Sequence, residues 1–336
     1  MKTEHITLSH GAGGETMRTF IRECFIEVFD NPELLALGDA AMLNMQTQQL
    51  AYTTDSYTVK PLEFPGGNIG KLSVCGTVND LAVMGARPEY LSFGCIIEEG
   101  FSLERLRLLI ASAAETAKQA GVRIVTGDTK VVPRGECDEL FINTSGIGSY
   151  PLGHGLSAKA IAEGDAIIVS GSVGDHGIAI LGARNQLQFA TEVPSDCAPL
   201  NGLIESLLTM SPDVKWMRDA TRGGLAAVLV ELVEHQSFGV LVEESRIPVR
   251  EDVEAVCELL GFDPMHLANE GKVVLVVGNN AADEALNILR RHSLGHAAEV
   301  IGHITSASAG SVRVQTQVGG IRRLHRPAGE LLPRIC

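Results

Sequence analysis

Phe64–Gly94, FPGGNIGKLSVCGTVNDLAVMGARPEYLSFG, decides how the rest of the chain is read. It opens inside a Pro/Gly loop, Pro61–Gly67, and Asn68 is a cap for a helix running from about Ile69 to Met84. Gly85 and then Pro88 stop that helix. Tyr90–Glu98 then reads as a strand. Asn79 and Asp80 fall in the last turns of the helix, where a polar pair interrupts an otherwise apolar segment.

The same alternation extends outward in both directions. Upstream, Met17, Phe20, Ile21, Cys24, Phe25 and Val28 recur at helical steps behind the glycine turn of Gly11, Gly13 and Gly14. A strand near Leu50–Thr53 runs into Thr54-Asp55-Ser56. Downstream come a helix over 103–119, a strand Arg123–Thr126 ending at Gly127-Asp128-Thr129, and a strand Leu140–Ile147. The second half opens with a strand over 165–170. Helices near 223–235, 251–260 and 281–291 alternate with strands near 239–243, 272–277, 299–304 and 311–315. The pattern predicts a two-domain α/β (α+β) chain. Its expected divisions are an N-terminal arm and helix (1–45), an N-terminal domain (46–155), a C-terminal α/β domain (156–320) and a flexible tail (321–336).

A net charge of −14 argues against general nucleic-acid binding, which needs clustered Lys and Arg. No signal-peptide core and no membrane-length apolar run is present, so the expected location is the cytoplasm. The seven cysteines include no Cys-x-x-Cys pair, and the first six read as small buried residues. Cys336 does not, because it follows a Pro/Gly-bearing stretch, RRLHRPAGELLPRIC. From Leu324 the extended chain reaches about 40 Å, enough to cross a small domain.

Three acids stand where elements are expected to end: Asp55, Asp80 and Asp128. Asp39, in LGDAA, is a fourth. Loop-edge carboxylates suit Mg²⁺ bridging protein to phosphates, although an isolated Asp is more often a cap or turn residue. No Walker A loop occurs.

Taken together, the quoted run, VTGDTKVV (125–132) and RDATRGGLAAVLVELV (218–233) resemble the superfamily of aminoimidazole ribonucleotide synthetase, selenophosphate synthetase and thiamine-phosphate kinase. Within it, SHGAGG (9–14), GTVNDLAVMGA (76–86), GSVGDHGIAIL (171–181), ANEGK (268–272) and PRIC (333–336) resemble the HypE family of hydrogenase maturation carbamoyl dehydratases.

The resemblance implies that ATP and Mg²⁺ are used to dehydrate an S-carboxamide on Cys336 to an S-cyanate, the source of the cyanide on the iron of nickel–iron hydrogenase. It implies Asp39, Asp55, Asp80 and Asp128 as metal ligands. It also implies nucleotide contacts from Gly11, Gly13, Gly14, Asp55, Asn79, Asp80, Thr126, Gly127 and Asp128. Lys130 and Glu270 are the candidates for handling charge and protons beside Cys336, and Asp175-His176 is a candidate lining of the tail's path. Implied partners are a second copy forming a homodimer, a carbamoyltransferase that loads Cys336, and an iron-carrying scaffold complex. GDAA has one acid where parts of the superfamily have two. Two rival readings are a selenophosphate synthetase-like enzyme, which would want a reactive Cys near the glycine turn, and a non-catalytic thiol carrier, which would not need the acids.

Overall fold

The structure is a computed structural model that describes residues 5–12, 15–35, 43, 49–150, 156–184, 193–210, 213–326, 332 and 334–336. Gly13, Gly14 and Asp39 lie outside the described residues. The arm holds α1 (Glu15–Ile21), a π-helical turn at Arg22–Ile26, α2 (Glu27–Phe29) and α3 (Pro32–Leu35).

The N-terminal domain contains β1 (Leu50–Tyr57), a short hairpin of β2 (Glu63–Phe64) and β3 (Gly67–Asn68), α4 (Ile69–Val83), β4 (Arg87–Glu98), α5 (Leu103–Ala120), β5 (Arg123–Val132) and β6 (Leu140–Ser149). Its sheet runs β1-β6-β4-β5, antiparallel except for the parallel β4–β5 pair.

The C-terminal domain contributes β7 (Ala166–Val169), α6 (Asp175–Ala183), α7 (Asn201–Thr209), β8 (Val214–Asp219), α8 (Gly224–Val233), β9 (Gly239–Glu243) and α9 (Glu251–Leu260). It continues through β10 (Val273–Val277), α10 (Ala282–Arg291), β11 (Glu299–Thr305), β12 (Val312–Gln315) and β13 (Ile321–Leu324). Seven strands form one sheet in the order β13-β12-β9-β11-β7-β10-β8.

The central element is α4. A helix that is apolar on all sides must be buried on all sides, and only Lys71 and Asp80 of its fifteen residues escape full burial. Asn68 caps it by accepting from the Lys71 amide at 3.0 Å. Two glycines allow the close packing. A Cβ on Gly70 would fall 2.0 Å from the Leu109 carbonyl oxygen of α5, and one on Gly76 would fall 2.3 Å from the Tyr57 hydroxyl of β1. The helix also packs against α7 and β8, so it links the two domains. One apolar cluster joins α4, the sheet core, Ile178, Ile180, Val253, Leu267 and the tail residues Leu332 and Ile335.

Four expectations need correction. Asp55 and Asp128 sit within β1 and β5, not at strand ends, because both strands continue past the apolar segment that identified them. α7 and β8 are present although periodicity gave neither. Ile321–Leu324, assigned to the flexible tail by composition, pair antiparallel with Val312–Gln315 as an edge strand. Cys137 is only half-buried, with its Sγ 3.7 Å from the Ile96 carbonyl, whereas Cys24, Cys75, Cys95, Cys197 and Cys257 are buried as expected.

Candidate functional site

The candidate residues divide between two places. One is the face of the four-stranded sheet turned away from α4. The other is the seam between α4 and the C-terminal domain.

Alternation along β1 puts Thr53, Asp55 and Tyr57 toward α4 and leaves Tyr52, Thr54 and Ser56 outside. Cross-strand register carries the outer row from Ser56 through Asn143 and Gly94 to Asp128. Asp128 and Lys130 therefore share the outer face, where they pair at 2.9 Å and are both about two-thirds exposed. Gly11 packs onto this strand, since a Cβ there would lie 3.0 Å from Val131. Next to it, Thr126, Gly127 and Asp128 edge a cavity of about 260 Å³. Its apolar walls are Met17, Ile21, Phe25, Phe29 and Phe93.

At the seam, Thr53 donates its hydroxyl to Asp80 at 2.9 Å. Burial holds the Asp80 carboxyl above its ordinary range, and the Asp55 charge adds to the shift. Asp219, the last residue of β8, is pushed up to about 7, first by burial and then by Asp80. Glu270 is 3% exposed, and no described residue donates to its Oε1. Burial drives its carboxyl well above the usual range, with the Cys197 thiol and Asp196, Asp219 and Asp55 adding to it. Asp55, Asp80, Asp219 and Glu270 thus crowd negative charge into a poorly solvated seam.

Asn79, expected as a nucleotide contact, binds backbone across the seam. Its amide donates to the carbonyls of Ala198 (3.1 Å) and Glu270 (3.3 Å) and accepts from the Leu200 amide (2.7 Å). These three hydrogen bonds all go to the C-terminal backbone, and one of them holds the Glu270 carbonyl. Asp196 supports the same turn, accepting from the amides of Glu270 and Gly271 and from the Lys272 ammonium at 3.0–3.1 Å.

The tail docks beside this seam, between the N-terminal domain and α6. Thr58 donates its amide to the Cys336 carbonyl at 3.0 Å, and Lys60 donates to the Arg334 carbonyl at 3.2 Å. Thr58 follows Asp55 by three residues, about 10 Å of extended chain. Arg184 adds a bond to the Arg334 carbonyl, and the Arg334 guanidinium pairs with Asp138. His176 donates from Nε2 to the Ile335 carbonyl at 2.7 Å, so the expectation that VGDHG lines the tail's path is met at His176.

Asp219 was missed by sequence reading. RDATRGG was read only as part of a family-like run, and its Asp closes a strand that periodicity did not give. An acid four residues ahead of Gly223, at the Gly-Gly start of a helix, was the available signal.

Two family profiles match the chain: the AIR synthase related protein N-terminal domain over residues 37–150 and the C-terminal domain over residues 162–315. A carbamoyl dehydratase HypE from Rhodobacter capsulatus is 47% identical over 339 residues, spanning 100% of this chain and 99% of that protein. A crystal structure of the hydrogenase maturation protein HypE in complex with ATP superposes with a TM-score of 0.94 at 47% identity, covering 98% of this chain and 99% of that one. The HypE chain of a HypE–HypF complex gives a TM-score of 0.80 at 49% identity, covering 92% and 99%. With both domain profiles matched and near-complete mutual coverage of a curated relative, the chain belongs to the HypE carbamoyl dehydratase family of AIR synthase related proteins.

Proposed function

We propose that this protein dehydrates an S-carboxamide on its own Cys336 to an S-cyanate at the expense of ATP, supplying cyanide for the iron of nickel–iron hydrogenase. The observation that carries the reading is the docking of the Cys336 segment against Thr58 and His176, beside a seam holding Asp55, Asp80, Asp219 and Glu270, to whose Oε1 no described residue donates.

The chemistry balances as follows. The amide oxygen of Cys336–S–C(=O)–NH₂ takes the γ-phosphoryl group, which converts a poor leaving group into phosphate. Two N–H protons are then lost, the C–O bond breaks, and the products are Cys336–S–C≡N, ADP and phosphate. The residues of the chain orient the thiol through its backbone, exclude water through the apolar packing of Ile335, and accept a proton at Glu270. Lys130 lies on the outer face, suited to a phosphoryl group approaching from that side. The apolar cavity beside Asp128 suits a purine base.

Mg²⁺ fits the seam. The Asp55 charge adds to the raised state of Asp80, and the Asp80 charge to that of Asp219, a repulsion that a divalent cation would offset while steadying the phosphates. Among the described residues no three His, Cys, Asp or Glu side chains form a complete metal shell. That suits a cation taking its remaining ligands from phosphate and water.

The outer sheet face, with Tyr52 and Ile96 exposed beside polar neighbours, is the expected homodimer surface. A carbamoyltransferase partner is supported by the relative captured in a HypE–HypF complex. An iron-bearing scaffold as cyanide acceptor follows from the reaction. No helix among the described residues is long and apolar enough to cross a membrane. A chain that depends on a free thiol is expected to work in the reducing cytoplasm.

The test is intact mass. Carbamoylated wild type should lose one water with ATP and Mg²⁺ but not with ADP, and Cys336→Ser should accept no carbamoyl group. Modification persisting in Cys336→Ser would overturn the reading.

A further inference from the structure

We propose that His176, fixed as its Nε2–H tautomer by Ser195, is a positioning residue that sets Cys336 for the ATP-driven step by gripping the Ile335 carbonyl. The inference rests on the function proposed above and adds a residue and a tautomer to it.

The tautomer follows from the hydrogen-bond partners alone. His176 Nε2 lies 2.7 Å from the Ile335 carbonyl oxygen, which only accepts, so Nε2 must carry a proton. His176 Nδ1 lies 2.8 Å from Ser195 Oγ, and that oxygen already accepts from the Cys197 amide at 3.0 Å. The consistent assignment is a directed chain in which the Cys197 N–H donates to Ser195, the Ser195 hydroxyl donates to Nδ1, and Nε2–H donates to the tail.

The ring is held as firmly as its proton. His176 is 0% exposed and meets the Phe64 ring edge-on at 5.4 Å between centroids. Ser195 is tied by its own amide to the Pro65 carbonyl at 2.7 Å. That approach requires glycine at 66, where φ is +87° and a Cβ would sit 2.6 Å from the Ser195 carbonyl oxygen. Both sides of the interdomain seam therefore orient the imidazole.

Among residues 334–336, His176 holds the carbonyl that the N-terminal domain does not bond. Arg334 and Cys336 bond through their carbonyls to Lys60 and Thr58, while the Ile335 carbonyl points the opposite way, to His176. Without His176 the buried Ile335 carbonyl loses its donor.

The test uses the full-length protein, carbamoylated on Cys336, with conversion followed by intact mass after ATP and Mg²⁺ are added. His176→Phe should slow conversion by at least about tenfold, while ATP affinity and loading of the thiol stay unchanged. His176→Gln, whose amide N–H reaches a comparable position, should recover most of the rate. Ser195→Ala should raise the alkylation rate of Cys336 several-fold without ATP, because Nδ1 then loses its hydroxyl donor and the ring its anchor. Conversion at the wild-type rate in His176→Phe overturns the proposal, as do equal losses in the Phe and Gln variants, which would show packing alone at work. If His176→Phe does not fold, an unchanged alkylation rate in Ser195→Ala overturns it. Failure of wild type to lose water would instead refute the function, whatever the variants do.

Discussion

Asp55 and Asp128 stand on opposite edge strands and opposite faces of one four-stranded sheet. Three interstrand spacings separate them, about 14 Å before the thickness of the sheet is added. Both are expected at the nucleotide site from the sequence motifs, yet one chain does not bring them together. In the homodimer proposed above, Asp128 and Lys130 of one protomer would complete the Asp55–Asp80 seam of its partner.

That arrangement predicts complementation. Asp80→Ala and Asp128→Ala should each lack Mg²⁺-dependent ATP turnover when pure. If subunits exchange freely, half of the mixed dimers are hybrids, and each hybrid has one intact site. Mixing equal amounts should then restore about a quarter of wild-type turnover. A mixture as inactive as its parents, with exchange demonstrated, would place both acids in the same protomer's site.

Asp219 is expected to matter as much as Asp80. Its carboxyl, pushed up to about 7 by partial burial and by the charge of Asp80, faces the same seam. Asp219→Asn keeps the size and removes the charge. The variant should remain folded, and should be slightly more stable above pH 7, since the repulsion is relieved. It should need more Mg²⁺ for half-maximal turnover. An unshifted Mg²⁺ dependence would remove Asp219 from the cation's surroundings.

What the sequence revealed and what it hid have distinct physical causes. α4 was legible to within one residue, because capping by Asn68 and termination at Gly85 are local events. The roles of Asn79 and Asp219 were hidden because both depend on contacts across 119 or more positions in the chain. β13 was hidden by its arginines. An edge strand needs only a backbone partner, and charge on such an edge discourages further pairing. The glycine turn was half legible: Gly11 meets Val131 as a turn closing on the site would, while Gly13, Gly14 and Asp39 fall outside the described residues.

Charge contributes less to tail docking than the basic composition of 321–336 implies. Arg322 and Arg326 pair within the C-terminal domain, with Glu244, Asp263, Glu231 and Glu234, and so do not hold Cys336 in place. Arg334–Asp138 is the ion pair at the docked end, and both side chains are about a third exposed. Such a pair contributes about 0–1 kcal/mol, whereas burying Ile335 contributes about 1.5–3 kcal/mol. Asp138→Asn should therefore raise Cys336 alkylation no more than about fivefold, and Ile335→Ala should raise it more. Salt should have a small effect on wild type. The reverse ranking would restore charge as the main tether.

Docking should weaken in acid, and His176 gives the sign. Burial lowers the His176 pKa below its ordinary value of about 6.5, so the docked state favours the neutral ring. Asp196 acts in the other direction, as does the bond to Ile335, and Arg184 adds to the lowering. With the tail released, the ring regains water and its ordinary affinity for protons. The released state then binds more protons, so docking is fully favoured above about pH 6.5 and is lost as pH falls below that value toward the lowered one. Thiol reactivity itself changes with pH, so the measurement is a ratio: the alkylation rate of Cys336 in wild type over that in His176→Gln, whose side chain does not titrate. The ratio should rise between pH 7.5 and 5.5. A flat ratio would mean that His176 keeps the same protonation whether the tail is docked or free, and the imidazole would then be a packing group rather than a grip on the tail.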